Sequence, residues 1–162
     1  MSTRITPCLW FDGDAEEAVT FYVSLFPDSR IDLVQRNPMD SPAGAAGSVL
    51  IVAFTLGGRS FQALNGGRKA EYTWAMSLSV DCADQAEVDR YWAALSDGGA
   101  EVQCGWVTDR YGVPWQIVPS ALPRMLADPD PEKAARVMQA MMGMVKLDVA
   151  ALQQAYDGEA AD

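Results

Sequence analysis

Apolar and polar positions alternate in two repeating blocks along this chain, and each block reads as strand, helix, then several strands. Residues 5–11 form an apolar-rich strand candidate that ends at Asp12-Gly13. Asp14 then suits a helix N-cap, with Glu17 three residues later in capping-box position. Ala18, Phe21, Tyr22 and Leu25 follow helical spacing until Pro27 stops the run. A short strand is predicted near 31–35, then a Pro-, Gly- and Ala-rich segment at 37–47 that suits a flap. Strands at 48–56 and 59–64 flank Gly57-Gly58, a two-residue hairpin turn, and Asn65-Gly66-Gly67 closes the block. Asn65 is read as a turn residue.

The second block repeats the first. A strand is predicted at 73–80, a helix from Asp84-Gln85-Ala86-Glu87 to Gly98-Gly99, and strands at 101–104, 106–108 and 113–118. The helices align at an offset of 70, which pairs Asp14 with Asp84, Glu17 with Glu87, Phe21 with Tyr91 and Tyr22 with Trp92. The closing strands align at an offset of 54, which pairs Gly58 with Gly112, Phe61 with Trp115 and Gln62 with Gln116. One capped helix recurring is weak evidence of duplication; matching closing strands in the same order make it strong. From Leu122 the pattern is helical. Pro131 falls in a first turn, Val137, Met138, Met141 and Met142 share one face, and Asp148 caps a last helix that ends before Gly158. A Met-rich face at this spacing reads first as core or subunit interface, and as a ligand surface only second.

Composition narrows the function classes. With 22 acidic and 12 basic residues the net charge is −10, which repels phosphate backbones, so nucleic acid is not an expected partner. No apolar run approaches the roughly 20 residues that span a bilayer, and residues 1–6 carry no hydrophobic signal core, so the expectation is a cytoplasmic protein without a membrane partner. Cys8, Cys82 and Cys104 form no C-x-x-C pair and read as small buried hydrophobes. Histidine is absent. That excludes Ser-His-Asp and Cys-His machinery and any His-ligated metal within the chain, and it leaves carboxylates, Tyr, Lys or Cys for acid–base work.

Several segments resemble the PhnB-like family of the vicinal-oxygen-chelate (glyoxalase/bleomycin-resistance) superfamily, often labelled 3-demethylubiquinone-9 3-methyltransferase. They are Ile5-Thr6-Pro7-Cys8-Leu9-Trp10-Phe11, Leu64-Asn65-Gly66-Gly67, Gln103-Cys104-Gly105-Trp106, Asp109-Arg110-Tyr111-Gly112 and Trp115-Gln116-Ile117-Val118-Pro119, with the tail Ala135-Arg136-Val137-Met138-Gln139-Ala140-Met141. The resemblance implies an α+β fold of two paired βαβββ modules, 1–67 and 72–120, forming a curved, cleft-enclosing mixed sheet. With a helical tail at 121–158 they would make a single domain over 1–162. It also implies a homodimer.

The superfamily's metal ligands would fall near 6–8 and 74–77 on the opening strands and at Gln62 and Gln116 on the closing strands. Neither opening stretch offers His or carboxylate, and amides bind divalent metals weakly, so no metal and no cofactor are expected. Gln62 and Gln116 remain candidate cleft residues, with hydrogen bonding to buried backbone as the competing reading. Trp10, Trp106 and Trp115 are the candidate aromatic walls of a ligand site; Trp74 shares a strand position with them, and Trp92 reads as core. Arg110 reads as an exposed loop charge, and Tyr72 and Cys104 as reactive groups without an identifiable partner. Methyl transfer gains no support, because Gly57-Gly58, Gly66-Gly67 and Gly98-Gly99 do not form the strand-to-helix turn that packs S-adenosylmethionine. The expected function is metal-independent small-molecule binding. The alternative is an enzyme on a small oxygenated substrate, a lyase, isomerase or dioxygenase-like protein using carboxylate, Tyr or recruited-metal chemistry.

Overall fold

Alternation of apolar residues builds the first of two units, Met1–Glu71, from β1 (Cys8–Phe11), α1 (Ala15–Leu25), β2 (Arg30–Arg36), β3 (Val49–Leu56) and β4 (Arg59–Asn65). The computed structural model describes residues 5–159, so the part of the N-terminal expectation that rests on 1–4 lies outside the described residues. The sheet runs β1-β4-β3-β2, with β1 parallel to β4 and the other pairs antiparallel, which is a βαβββ connection. Leu9, Phe11, Val52, Phe54, Leu56, Phe61 and Ala63 are buried at every second position, with Ala18, Val19 and Tyr22 of α1. Because successive side chains point to opposite faces, this row is the helix side and its neighbours form an open face. Each large side chain sealed this way contributes about 1.5–3 kcal/mol.

Gly57 and Gly58 have φ of 54° and 76°, the two positive values that a tight β3–β4 turn requires. At the free edge, β2 carries two register irregularities and terminal arginines, features that discourage strand-to-strand aggregation.

The second unit, Tyr72–Asp162, contains β5 (Leu78–Cys82), α2 (Gln85–Ser96), β6 (Ala100–Glu101), β7 (Trp106–Thr108) and β8 (Pro114–Pro119). Its sheet order is β5-β8-β7-β6, again with one parallel pair, β5 with β8. Ala15 and Gln85, the first residues of α1 and α2, keep the 70-residue offset. Val107, Trp115, Ile117 and Cys82 are buried with Val88, Tyr91, Trp92 and Leu95 of α2. The fold is therefore α+β, with two open four-stranded mixed sheets.

Three helices follow: α3 (Ala121–Leu126), α4 (Pro131–Met142) and α5 (Val149–Asp157). Asp130 and Asp148 cap α4 and α5 through Glu132 N and Ala151 N, both at 2.9 Å. Their core is Leu122, Met125, Val137, Leu147 and Leu152, against which Val118 of β8 packs. The Met face divides: Val137 and Met141 pack inward, whereas Met138 and Met142 are exposed.

Some boundaries differ from expectation for physical reasons. Strand β5 starts at Leu78 rather than 73, because 73–76 form a turn in which Thr73 Oγ1 accepts from Ala75 N. Strand β6 stops at Glu101, because Cys104 (φ 59°) and Gly105 (φ 80°) make the turn into β7. Strand β1 starts at Cys8, three residues late, although Pro7 O still accepts from Gln62 N. The expected capping box forms on α2, where Asp84 Oδ1 accepts from Glu87 N and Glu87 Oε2 from Ala83 N. It does not form on α1, whose Asp14 makes no side-chain cap.

Asn65 takes that role on α1, which corrects its reading as a turn residue. It is the last residue of β4, 3% exposed, and its Oδ1 accepts from Gly13 N and Ala15 N at 3.0 Å each. Its Nδ2 donates to Val49 O at 3.0 Å. Replacing Asn65 with Ala leaves two backbone N–H groups and a carbonyl without their partner, and should cost about 2–4 kcal/mol in urea unfolding. A loss below about 0.5 kcal/mol would contradict the assignment of this cap.

Candidate functional site

One face of each sheet is occupied by α1 or α2; the other is open around Gln62 in the first unit and around Gln116 in the second, where Val118 two residues on packs against the tail helices. In the first unit the register places Cys8, Gln62, Ala53 and Leu33 in one row across the strands, with Trp10, Leu64, Ile51 and Gln35 in the next. Gln62 is half-buried near the middle of this face, and among the described residues its carboxamide meets no hydrogen-bond partner. Trp10 lies flat over Gly66, where a Cβ would fall 1.8 Å from the indole, and its Nε1 donates to Arg68 O at 2.8 Å. Its ring is thereby fixed as part of the face.

In the second unit Gln116 pairs with Ser79 on one side and Trp106 on the other. Its Nε2 donates to Ser77 Oγ at 2.9 Å. Among the described residues neither Gln62 nor Gln116 shows the side-chain bond to backbone that the competing sequence reading expects. Trp106 is half-buried, and the Trp74 ring stands 6.5 Å from it at 50°. Trp74 itself is 64% exposed.

Trp115 is placed apart from the other candidates. It is 1% exposed, on the buried row of β8, and its Nε1 donates to Asp109 Oδ2 at 2.8 Å. Asp109 is 3% exposed and also accepts from Tyr111 N and Val113 N through Oδ1. The carboxylate thus folds the β7–β8 turn and anchors the core tryptophan, a stronger role than that of an ordinary turn residue. Arg110, beside it, pairs with Asp97 at 2.8 Å on the surface.

The segment 37–47 is a hydrogen-bonded loop. Asn37, 4% exposed, exchanges bonds with the backbone of Gly47 and Ser48 and donates from Nδ2 to Ser48 Oγ. The loop rests on Gly67, where a Cβ would meet Pro42 O at 1.8 Å. A shallow cavity of about 260 Å³ opens between this loop and the start of α1, lined in part by Gly13, Glu16, Ala43 and Asn65. Of the candidate ligand residues Gln62, Gln116, Trp10, Trp106 and Trp115, none lines it.

Donor chemistry limits what these faces can hold. Around Gln62 and Gln116 the register supplies a thiol and hydroxyls, and among the described residues no three His, Cys, Asp or Glu side chains gather. One thiol with amides and hydroxyls does not fit a divalent metal, which needs several carboxylate, imidazole or thiolate ligands. A methyl donor fares no better: the strand-to-helix junctions are Asp12-Gly13-Asp14 and Ala83-Asp84, without the Gly-rich turn it would pack against.

The cysteines divide by environment. Cys8 is exposed on the open face, contrary to its reading as a buried hydrophobe, while Cys82 is buried. Burial, then the carboxylates of Glu87 and Asp81, push the Cys82 thiol up to about 12. Partial burial raises Cys8 less. Iodoacetamide at pH 8 should therefore modify Cys8 in the native protein and Cys82 only after unfolding, since the thiolate is the nucleophile. Peptide mass spectrometry checks this, and native labelling of Cys82 ahead of Cys8 would contradict the placement.

Known proteins share this geometry. A family model described as 3-demethylubiquinone-9 3-methyltransferase matches residues 3–118 and stops before α3. A solved structure from Bacillus cereus, a putative 3-demethylubiquinone-9 3-methyltransferase, PhnB protein, is 36% identical, with a TM-score of 0.65 over 72% of this chain and 99% of that one. The Pseudomonas aeruginosa protein PA1353 is 22% identical over 73% of this chain and 98% of its own, with a TM-score of 0.60, and shares the fold. No curated protein matches the chain.

Proposed function

This chain belongs to the PhnB-like family, whose model is described as 3-demethylubiquinone-9 3-methyltransferase, and we propose that it binds a small molecule, without a resident metal, on the open sheet faces that carry Gln62 and Gln116. The observation that carries this reading is the Gln62 carboxamide. It stands half-buried among Cys8, Ala53 and Leu64, with its donors and acceptor unused among the described residues. Carboxamides on apolar ground are inexpensive only when something bonds to them, and a ligand supplies that partner. Trp10 and Trp106 provide ring surface beside each glutamine, which suits a flat or apolar molecule. Trp115 takes no part in this site, being sealed against Asp109.

Methyl transfer, the activity for which the Bacillus cereus relative is named, is not proposed for this chain, for want of the turn described above. The working assembly we propose is a homodimer, supported by the family resemblance and by exposed Leu33, Met138 and Met142. We place it in the cytoplasm on the strength of three free thiols, which suit a reducing compartment. No helix among the described residues is long and apolar enough to cross a membrane.

The test is a fragment screen by ligand-observed NMR on tag-free protein, with and without EDTA. A tag must be absent, because its histidines would bind metal that the chain itself is not built to hold. Binding should survive EDTA, quench tryptophan fluorescence, and weaken about tenfold in Gln62→Ala or Trp106→Ala, the worth of one good contact. Hits that vanish with EDTA, or that are turned over, would return the protein to the metalloenzyme class.

A further inference from the structure

The two matched glutamines are not in the same state. Among the described residues Gln62 has no side-chain hydrogen bond, whereas Gln116 is pinned: its Nε2 donates to Ser77 Oγ at 2.9 Å. A carboxamide has two N–H donors and one carbonyl acceptor on a single rigid plane. Fixing the nitrogen end therefore directs Oε1 away from Ser77, as an acceptor at a set place on the open face of β8. Trp106 is the register neighbour of Gln116 on β7, and cross-strand neighbours stand about 5 Å apart.

The Trp74 ring, tilted at 50° to Trp106 and 64% exposed, leaves a wedge of indole surface in water beside that acceptor. On β5 the exposed Asp81 shares the face with Ser79, two residues along the strand, and its carboxylate disfavours an anion.

Resting on the binding function proposed above, we infer that the second unit takes a planar, uncharged or cationic ring that bears an N–H or O–H donor. The ring covers Trp74 and Trp106, the donor bonds to Gln116 Oε1, and Ser77 is the positioning residue that sets the direction of that acceptor. The sequence places 74–77 only as an empty ligand stretch and Trp74 only as a strand tryptophan; neither Ser77 nor Trp74 is given this role there. A serine before a strand is unremarkable, and Trp74 falls in a turn that the alternating pattern hides.

A matched pair of neutral probes tests the inference: 2-naphthol, which donates a hydrogen bond, and 2-methoxynaphthalene, which has the same ring system and cannot. Calorimetry on the full chain should show 2-naphthol bound about tenfold more tightly, the effect of one hydrogen bond. In Ser77→Ala that preference should fall to about twofold or less with 2-methoxynaphthalene binding unchanged, and Ser77→Thr should restore it. In Trp74→Ala both probes should weaken alike. Thermal melting confirms that each variant is folded, and a merely structural Ser77 would weaken both probes together. Equal affinity of the two probes for the native protein, or a preference kept in Ser77→Ala, overturns the inference and leaves small-molecule binding intact. If neither probe binds while the fragment screen yields other ligands, the ring class is wrong. A screen that yields no ligand at all removes the binding function itself.

Discussion

Asn65 ends β4 with its carboxamide sealed from water, and three elements of the first unit hang from it. Its oxygen holds the backbone N–H groups on either side of Asp14, where β1 gives way to α1, and its nitrogen holds the start of β3. A buried amide of this kind is stable only when every donor and acceptor is met, so it fixes helix, opening strand and neighbouring strand in one geometry. Asp109 plays a comparable part in the second unit, where one carboxylate gathers the β7–β8 turn and the Trp115 indole. Asn65 ends one closing strand and Asp109 lies in the turn before the other, so each anchors the strand that carries Gln62 or Gln116.

The two-residue period of a strand then decides what is available for function. Phe61 and Ala63, or Trp115 and Ile117, commit one side of each closing strand to a helix. The residues between them, Gln62 and Gln116, must face the other way. A few placed hydrogen-bonding groups beside ring and aliphatic surface are the arrangement that small-molecule sites use. Amides in place of carboxylates are the reason neutral recognition, rather than metal coordination, is what we propose.

Much of this was legible in the chain. The 70-residue helix offset survives in the first residues of α1 and α2, and the 54-residue offset survives in the equivalent facing of Phe61 with Trp115 and Gln62 with Gln116. Capped helix starts at Asp84 and Asp148 were readable because their bonds are local. What the sequence hid depends on distant partners. Asn65 reaches back fifty residues to the start of α1, and nothing near it announces that contact. Trp74 and Met76 continue the alternation of Leu78 and Val80, so a turn read as strand. Trp115 looked like a site residue because its type is right, and only the partner Asp109 and the burial of its row reveal the core role.

The central claim is that ligand meets the open faces through Gln62 and Gln116 while Asn65 serves the fold alone. Side-chain amide signals report on this directly, because each carboxamide gives its own nitrogen-15 correlation. On titration with a fragment hit, the Gln62 or Gln116 amide correlation should shift progressively while that of Asn65 stays fixed. Shifts confined to the helix-side residues of α1 and α2, with both glutamine amides unmoved at saturation, would contradict the account.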